Sequence, residues 1–264
     1  MNKTFYFISG LPRSGSQLIC NILSQNPRFH VSPTSGILDI LFSVRNNWDE
    51  LIEFKANPNE EGKKRVLRGI LDNYYADVEK PVCIDKSRGW LAYLEMAEMI
   101  LERPAKVIVP VRDLRDILAS FEKLWRKGAS TRQIAQEREN YFLWQTVEGR
   151  CQVWASSNQP VGLSYNRIRD AISRGYQDRL HFVRYEELTK YPARTMMLLY
   201  NFLEEDYFEH DFSHVEQVIF EHDEVYGLGS ELHSIRSKVE SQPPQWPSVL
   251  GEEVAAKYKG LELW

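Results

Sequence analysis

Short, unbroken runs of apolar, β-prone residues recur along the chain at 4–8, 81–85, 106–111 and 180–185, with apolar positions at helical spacing between them. Continuous rather than alternating runs are expected of strands covered on both faces. Leu18, Ile19, Ile22 and Leu23 mark a first helix, and helical periodicity continues to about Val78, broken at Asn57-Pro58-Asn59. Between these, 30–40 reads as a loop entering a helix, with Ser35 placed to cap it. Further helices are predicted up to Leu101, over 114–127, across much of 128–178, from Pro192 to Leu203 and over 251–258. The stretch 205–226 is acidic and aromatic, and 227–247 reads as a long loop. Pro110 is awkward for a central strand, because it has no N–H for the ladder.

Strands alternating with helices imply right-handed crossovers and a parallel sheet. The expected fold is therefore α/β: three layers, with a mostly parallel central sheet flanked by helices, similar to P-loop nucleotide-binding folds. No internal repeat, low-complexity segment or linker divides residues 1–264, so a single domain is expected.

The first strand, turn and helix carry the clearest chemistry. Gly10, Leu11, Pro12, Arg13, Ser14, Gly15, Ser16 and Gln17 join the first strand to the first helix. Such a loop aims backbone N–H groups at one point, where a helix N-terminus adds partial positive charge; it is either a phosphate cradle or an ordinary Gly/Pro turn. Gly10 and Gly15 have P-loop spacing, but Ser16-Gln17 stands where Lys-Ser/Thr belongs, and a cation, Arg13, lies inside the loop. A loop with its cation inside can clamp an anion without a metal, and no metal-ligand spacing is present elsewhere.

Composition narrows the partners. Over 264 residues the formal net charge is −4, so no general nucleic-acid surface is expected and the basic residues that matter are local. Three widely spaced cysteines form neither a disulfide framework nor a zinc pattern, which points to a reducing compartment. With no apolar run of about 18 residues and no leader pattern, a soluble cytoplasmic protein is expected.

In parallel sheets ligands bind beyond the carboxyl ends of the strands. The residues there are 10–16, Asp85 to Arg88, Arg112-Asp113 and Tyr185-Glu186, and three of these segments carry Arg or Lys, as befits an anion larger than one phosphate. Together they resemble the sulfotransferases that use 3′-phosphoadenosine 5′-phosphosulfate (PAPS). Pro12-Arg13-Ser14-Gly15-Ser16 is similar to that family's 5′-phosphosulfate loop. Arg112 followed by Ser120 resembles its 3′-phosphate motif, and Phe182–Leu188 with Pro192 resembles the block whose Tyr, here Tyr185, lies near the adenine. Leu232–Val239, with Ser234, Arg236 and Lys238, resembles its late basic loop.

The resemblance implies PAPS as donor substrate, adenosine 3′,5′-bisphosphate as product, and a small-molecule, glycan or peptide hydroxyl, or an amine, as acceptor. It makes Arg13 the cation that stabilises charge on the transferring group, with Lys86 as a second. The family's bases are absent at their usual places: Asp85-Lys86-Ser87-Arg88 has no His and Val31–Ser35 has no Glu. His30 and Asp85 are then the leading candidates for a base, followed by Asp39 and His233. The acidic tract Glu204–Asp211 and the Trp-containing region 125–154 are candidate acceptor walls. Two alternatives remain at this level, a P-loop small-molecule kinase using Mg-ATP and a non-catalytic nucleotide-binding relative.

Overall fold

In the computed structural model, which describes residues 3–128, 141–226 and 232–264, five strands form one sheet in the order β2-β3-β1-β4-β5. They are β1 (Thr4–Ile8), β2 (Phe29–Thr34), β3 (Val82–Lys86), β4 (Val107–Val111) and β5 (Leu180–Arg184), and every pairing is parallel. The helices follow the expected alternation. α1 (Ser16–Leu23), α2 (Ile37–Glu50), α3 (Ile52–Ala56) and α4 (Glu60–Tyr74) precede β3. α5 (Leu94–Leu101) precedes β4, and α6 (Leu114–Gly128), α7 (Tyr141–Trp144), α8 (Val147–Ala155) and α9 (Pro160–Ser173) precede β5. α10 (Tyr185–Lys190), α11 (Pro192–Leu203), α12 (Trp246–Val249) and α13 (Glu252–Ala256) complete the chain. Residues 129–140, expected to be largely helical, and 227–231 of the expected loop lie outside the described residues.

The period of two along β1 builds the layers. Phe5 and Phe7 enter a core with Leu67, Leu71, Trp90 and Ile117, whereas Tyr6 and Ile8 enter one with Leu18, Ile22, Leu199 and Leu203. Each such side chain, fully buried, contributes about 1.5–3 kcal/mol. Rigid packing on both faces fixes the carboxyl ends of the strands, from which the site loops leave.

Two expectations are corrected. The segment read as loop from His30 onward begins as β2, an edge strand paired with β3. Its register is irregular between Val31 and Thr34, around Pro33, a residue that sheets tolerate at an edge or a bulge and that breaks the sequence signal for a strand. Ser35 does not cap α2: the preceding residue there is Gly36, with no side-chain cap, and the Ser35 hydroxyl donates instead to Asp85 Oδ2 at 2.5 Å.

Pro110 does lie in an interior strand. β1 is paired with β4 only at Phe7↔Val107 and Ile8↔Ile108, so Pro110 lies past the last regular pair, beside the loop that follows β1. The Pro110 carbonyl accepts from Leu11 N at 3.0 Å and from Ser14 Oγ at 3.0 Å, anchoring the loop that follows β1. A Cβ on Gly10 would lie 2.3 Å from that carbonyl oxygen, so the close approach requires glycine.

Candidate active site

The loops leaving β1, β3, β4 and β5 and the segment after Leu232 enclose a cleft of about 590 Å³. Leu11, Pro12, Arg13, Gly15, Ser16, Gln17, Lys86, Arg112, Ser120, Tyr185, Ser234, Arg236 and Lys238 all line it. Five expected segments, far apart in sequence, thus converge on one space.

The β1–α1 loop is held in an unusual shape. Arg13 has φ 59° and Gly15 φ 88°, both left-handed, and a left-handed non-glycine residue costs roughly 1–2 kcal/mol. A Cβ on Gly15 would lie 2.6 Å from the Tyr185 ring, so this glycine is required by backbone and packing alike. Ser14, fully buried, turns its hydroxyl inward to Leu11 O at 2.6 Å and Pro110 O; its side chain braces the loop and does not line the cleft. Gln17 also braces: its Nε2 donates to Ile219 O at 2.7 Å, and its Oε1 accepts from Lys86 Nζ at 3.0 Å.

Arg13 joins three segments. Its Nε donates to Ser120 Oγ at 3.0 Å and its Nη1 to the Leu232 carbonyl, tying the loop to α6 and to the late basic segment. Burial, and then the neighbouring Arg112 guanidinium, push its pKa below the ordinary value, against the pull of Asp223. Two partly buried guanidinium groups close enough to lower each other's proton affinity form a site for an anion that neutralises both.

Arg112 leaves the end of β4. Its Nη1 reaches Arg13 O at 3.4 Å, its Nη2 lies 3.5 Å from Asp116, and its guanidinium stands 4.4 Å from the Tyr185 ring centroid. Arg112 Nε is buried with no hydrogen-bond partner among the described residues. A buried donor with no acceptor is costly unless a ligand supplies one, and a phosphate oxygen fits that role. Arg236 and Lys238 stand exposed at the mouth, Lys238 2.9 Å from Glu240.

Lys86 ends β3, with its Nζ 2.7 Å from Glu221 Oε1. Glu221 also accepts from Thr34 N at 3.1 Å and Thr34 Oγ at 3.0 Å. Burial opposes its ionisation, but Lys86 and the Thr34 N–H outweigh it and hold the Glu221 pKa down at about 2, from an ordinary 4.5. A depressed carboxylate stabilises the fold above its unfolded pKa, so this contribution is present above about pH 4.5 and is lost as pH falls toward 2.

Two of the expected bases are not at the cleft. His30 sits within β2, opposite Cys83, edge-on to Tyr75 at 5.6 Å, and Lys80 at the amino end of the sheet helps to lower its pKa after burial. Asp85 is fully buried, and accepts from Ser35 Oγ, Tyr75 Oη and Trp90 Nε1, the last at 2.6 Å. Burial raises its pKa against those three donors. It ties β2, α4 and the turn after β3 beneath the site. Asp85→Ala leaves three buried donors unpaired and is expected to cost about 3–5 kcal/mol, measured as a loss of urea midpoint with unchanged m-value. The acidic tract is also elsewhere: Glu204 pairs with Lys106 and Glu205 with Arg28, residues that precede β4 and β2, at the amino ends of the strands. Trp144 and Trp154 are core residues, while Phe121, Leu124 and Pro160 supply the apolar wall.

Glu221 and Asp223 were not legible as site residues. Asp223 Oδ1 lies 2.5 Å from His233 Nδ1, and Glu221 Oε2 lies 3.6 Å from His233 Nε2. They come from an aperiodic stretch, where only the acidic run hinted at chemistry.

Comparison with known proteins matches this geometry. A model of the sulfotransferase family matches residues 6–209, and the chain belongs to that family. It is a sulfotransferase by family, and no helix among the described residues is long and apolar enough to cross a membrane. Solved structures share the fold at low identity. The sulfotransferase domain of an olefin synthase from Synechococcus PCC 7002 is 18% identical with a TM-score of 0.51, covering 97% of this chain and 95% of that one. The sulfotransferase domain from the curacin biosynthetic pathway is 18% identical with a TM-score of 0.50, covering 100% and 92%. A sulfotransferase from Alicyclobacillus acidocaldarius is 16% identical with a TM-score of 0.50, covering 80% and 85%. No curated protein sequence matches the chain.

Proposed function

We propose that the chain, acting as one domain over residues 1–264, transfers a sulfuryl group from PAPS to a hydroxyl of a small-molecule, glycan or peptide acceptor. The observation that carries the donor is the meeting of two arginine sites in one cleft. Arg13, in the left-handed loop, and Arg112, with its orphaned Nε, both approach the cleft wall at Ser120 or the loop backbone. A nucleotide with charge at its 5′ end and a separate 3′-phosphate suits two such sites; Mg-ATP needs only one, and Gln17, where a P-loop has Ser or Thr, is engaged with Lys86 and Ile219.

In this reading the β1–α1 loop receives the phosphosulfate, while Arg112, Ser120, Ser234, Arg236 and Lys238 receive the 3′-phosphate beside Tyr185. Negative charge grows on the transferring group and on the bridging oxygen of the departing nucleotide. Arg13 and Lys86 stabilise that charge. Isothermal calorimetry tests the donor assignment. Adenosine 3′,5′-bisphosphate is expected to bind at least tenfold more tightly than AMP without magnesium; equal affinities, or binding only of Mg-ATP, would overturn it.

A further inference from the structure

We propose that Glu221, paired with Lys86 at the cleft wall, makes the donor site select a terminal sulfuryl group over a terminal phosphoryl group. The inference rests on the PAPS reading above and deepens it, by assigning a residue that separates two groups of the same shape by their charge.

Sulfuryl and phosphoryl termini are both tetrahedral and offer the same acceptor oxygens. At neutral pH a terminal sulfuryl carries one negative charge, whereas a terminal phosphoryl, with a second pKa of about 6, carries nearly two. Shape and hydrogen-bond donors alone do not tell them apart. A fixed negative charge close to the terminus does, because it repels the dianion about twice as strongly.

Glu221 supplies that charge. Its side chain is only 4% exposed, and its Oε1 lies 2.7 Å from Lys86 Nζ. Thr34 N and Oγ donate to the same oxygen at 3.1 and 3.0 Å, so the carboxylate is held from two sides. Burial opposes its ionisation, but Lys86 and the Thr34 N–H keep its pKa at about 2, and it stays ionised at neutral pH. Among the described residues, Lys86 Nζ donates to Gln17 Oε1 at 3.0 Å and to Glu221. An ammonium has three N–H groups, so one remains for a group bound in the cleft that Lys86 lines. A terminal oxygen that accepts from it stands within about 5.5 Å of Glu221 Oε1, the length of two hydrogen bonds in series.

The pair therefore presents the donor of a cation with no net charge. In a P-loop the lysine meets the terminal phosphates as a full point charge. Here Arg13 is the cation that matches the terminus, and one cation matches one negative charge. A second negative charge on the terminus faces Glu221 without a counter-charge of its own.

Isothermal calorimetry without acceptor or metal tests this. The ligands are PAPS and 3′-phosphoadenosine 5′-diphosphate, which differ only in the terminal group, and the proteins are wild type, Glu221→Gln and Thr34→Val. Glutamine keeps the shape of Glu221 and an oxygen for Lys86 and Thr34, but removes the charge. Wild type is expected to favour PAPS, and Glu221→Gln to shift the ratio of the two affinities about tenfold toward the diphosphate. Thr34→Val removes one hydrogen bond and keeps the charge, so its ratio should stay within about threefold of wild type. A general weakening of the fold lowers both affinities together and leaves the ratio unmoved. A Glu221→Gln ratio within about threefold of wild type, or an equal shift in Thr34→Val, overturns the inference and leaves PAPS standing as the donor. A wild-type chain that binds neither nucleotide more tightly than its counterpart lacking the 3′-phosphate overturns the PAPS reading itself.

Discussion

Replacing Arg13 by alanine is expected to lower kcat for sulfuryl transfer by roughly 10²–10³-fold, the usual effect of removing one preorganised charge-stabilising donor. The fold should survive. Alanine at φ 59° meets the same left-handed penalty that arginine already bears, so the change adds no backbone strain. The lost ground-state contacts are those to Ser120 Oγ and the Leu232 carbonyl, both neutral acceptors. Neutral hydrogen bonds contribute about 0.5–1.5 kcal/mol each, so binding of adenosine 3′,5′-bisphosphate should weaken by about tenfold. The separation between a large effect on kcat and a small one on product affinity marks Arg13 as acting on the transition state. Parallel losses in both would mean that it merely anchors the late basic segment.

Arg112→Ala should reverse that pattern. Arg112 sits at the end of β4 with an unpaired buried Nε, a weak 3.5 Å contact to Asp116 and the Tyr185 ring at 4.4 Å. If its principal partner is a 3′-phosphate, charge-assisted hydrogen bonds worth about 2–4 kcal/mol in total disappear, and adenosine 3′,5′-bisphosphate binds roughly 30–1,000-fold more weakly. AMP, which lacks that phosphate, should bind with affinity changed by less than about threefold. Competitive displacement of a fluorescent nucleotide gives both values. Equal losses for the two nucleotides would show that Arg112 supports the loop through Arg13 O rather than reading the 3′-phosphate.

The sheet was largely legible because four of its strands are continuous apolar runs and the chain alternates strand with helix. β2 was not, because Pro33 and the polar Ser32 and Thr34 give an edge strand no clear period. On the donor side, Arg13 stood out as a cation inside the β1–α1 loop, and Arg112, Ser120 and Tyr185 were named from the resemblance to the sulfotransferase family; all four line one cleft. Residue type alone did not show where side chains turn: Ser14 points inward and braces the loop, while Gln17, at the cleft, bonds Ile219 and Lys86. Asp85 looked like a base for the opposite reason. It stands next to Lys86, but strand alternation sends it inward while Lys86 faces the cleft. Glu221 and Asp223 were the least legible: they come from an aperiodic segment, and only the folded chain brings them to Lys86 and His233.

The central claim is that one cleft binds PAPS and moves its sulfuryl group. Incubating the purified chain with ³⁵S-labelled PAPS and a panel of phenolic, carbohydrate and lipid hydroxyls tests it most directly. The expected result is label in at least one acceptor, with stoichiometric adenosine 3′,5′-bisphosphate, no requirement for added magnesium, and near-complete loss in Arg13→Ala. Unlabelled acceptors throughout, or transfer unchanged by Arg13→Ala, would contradict it.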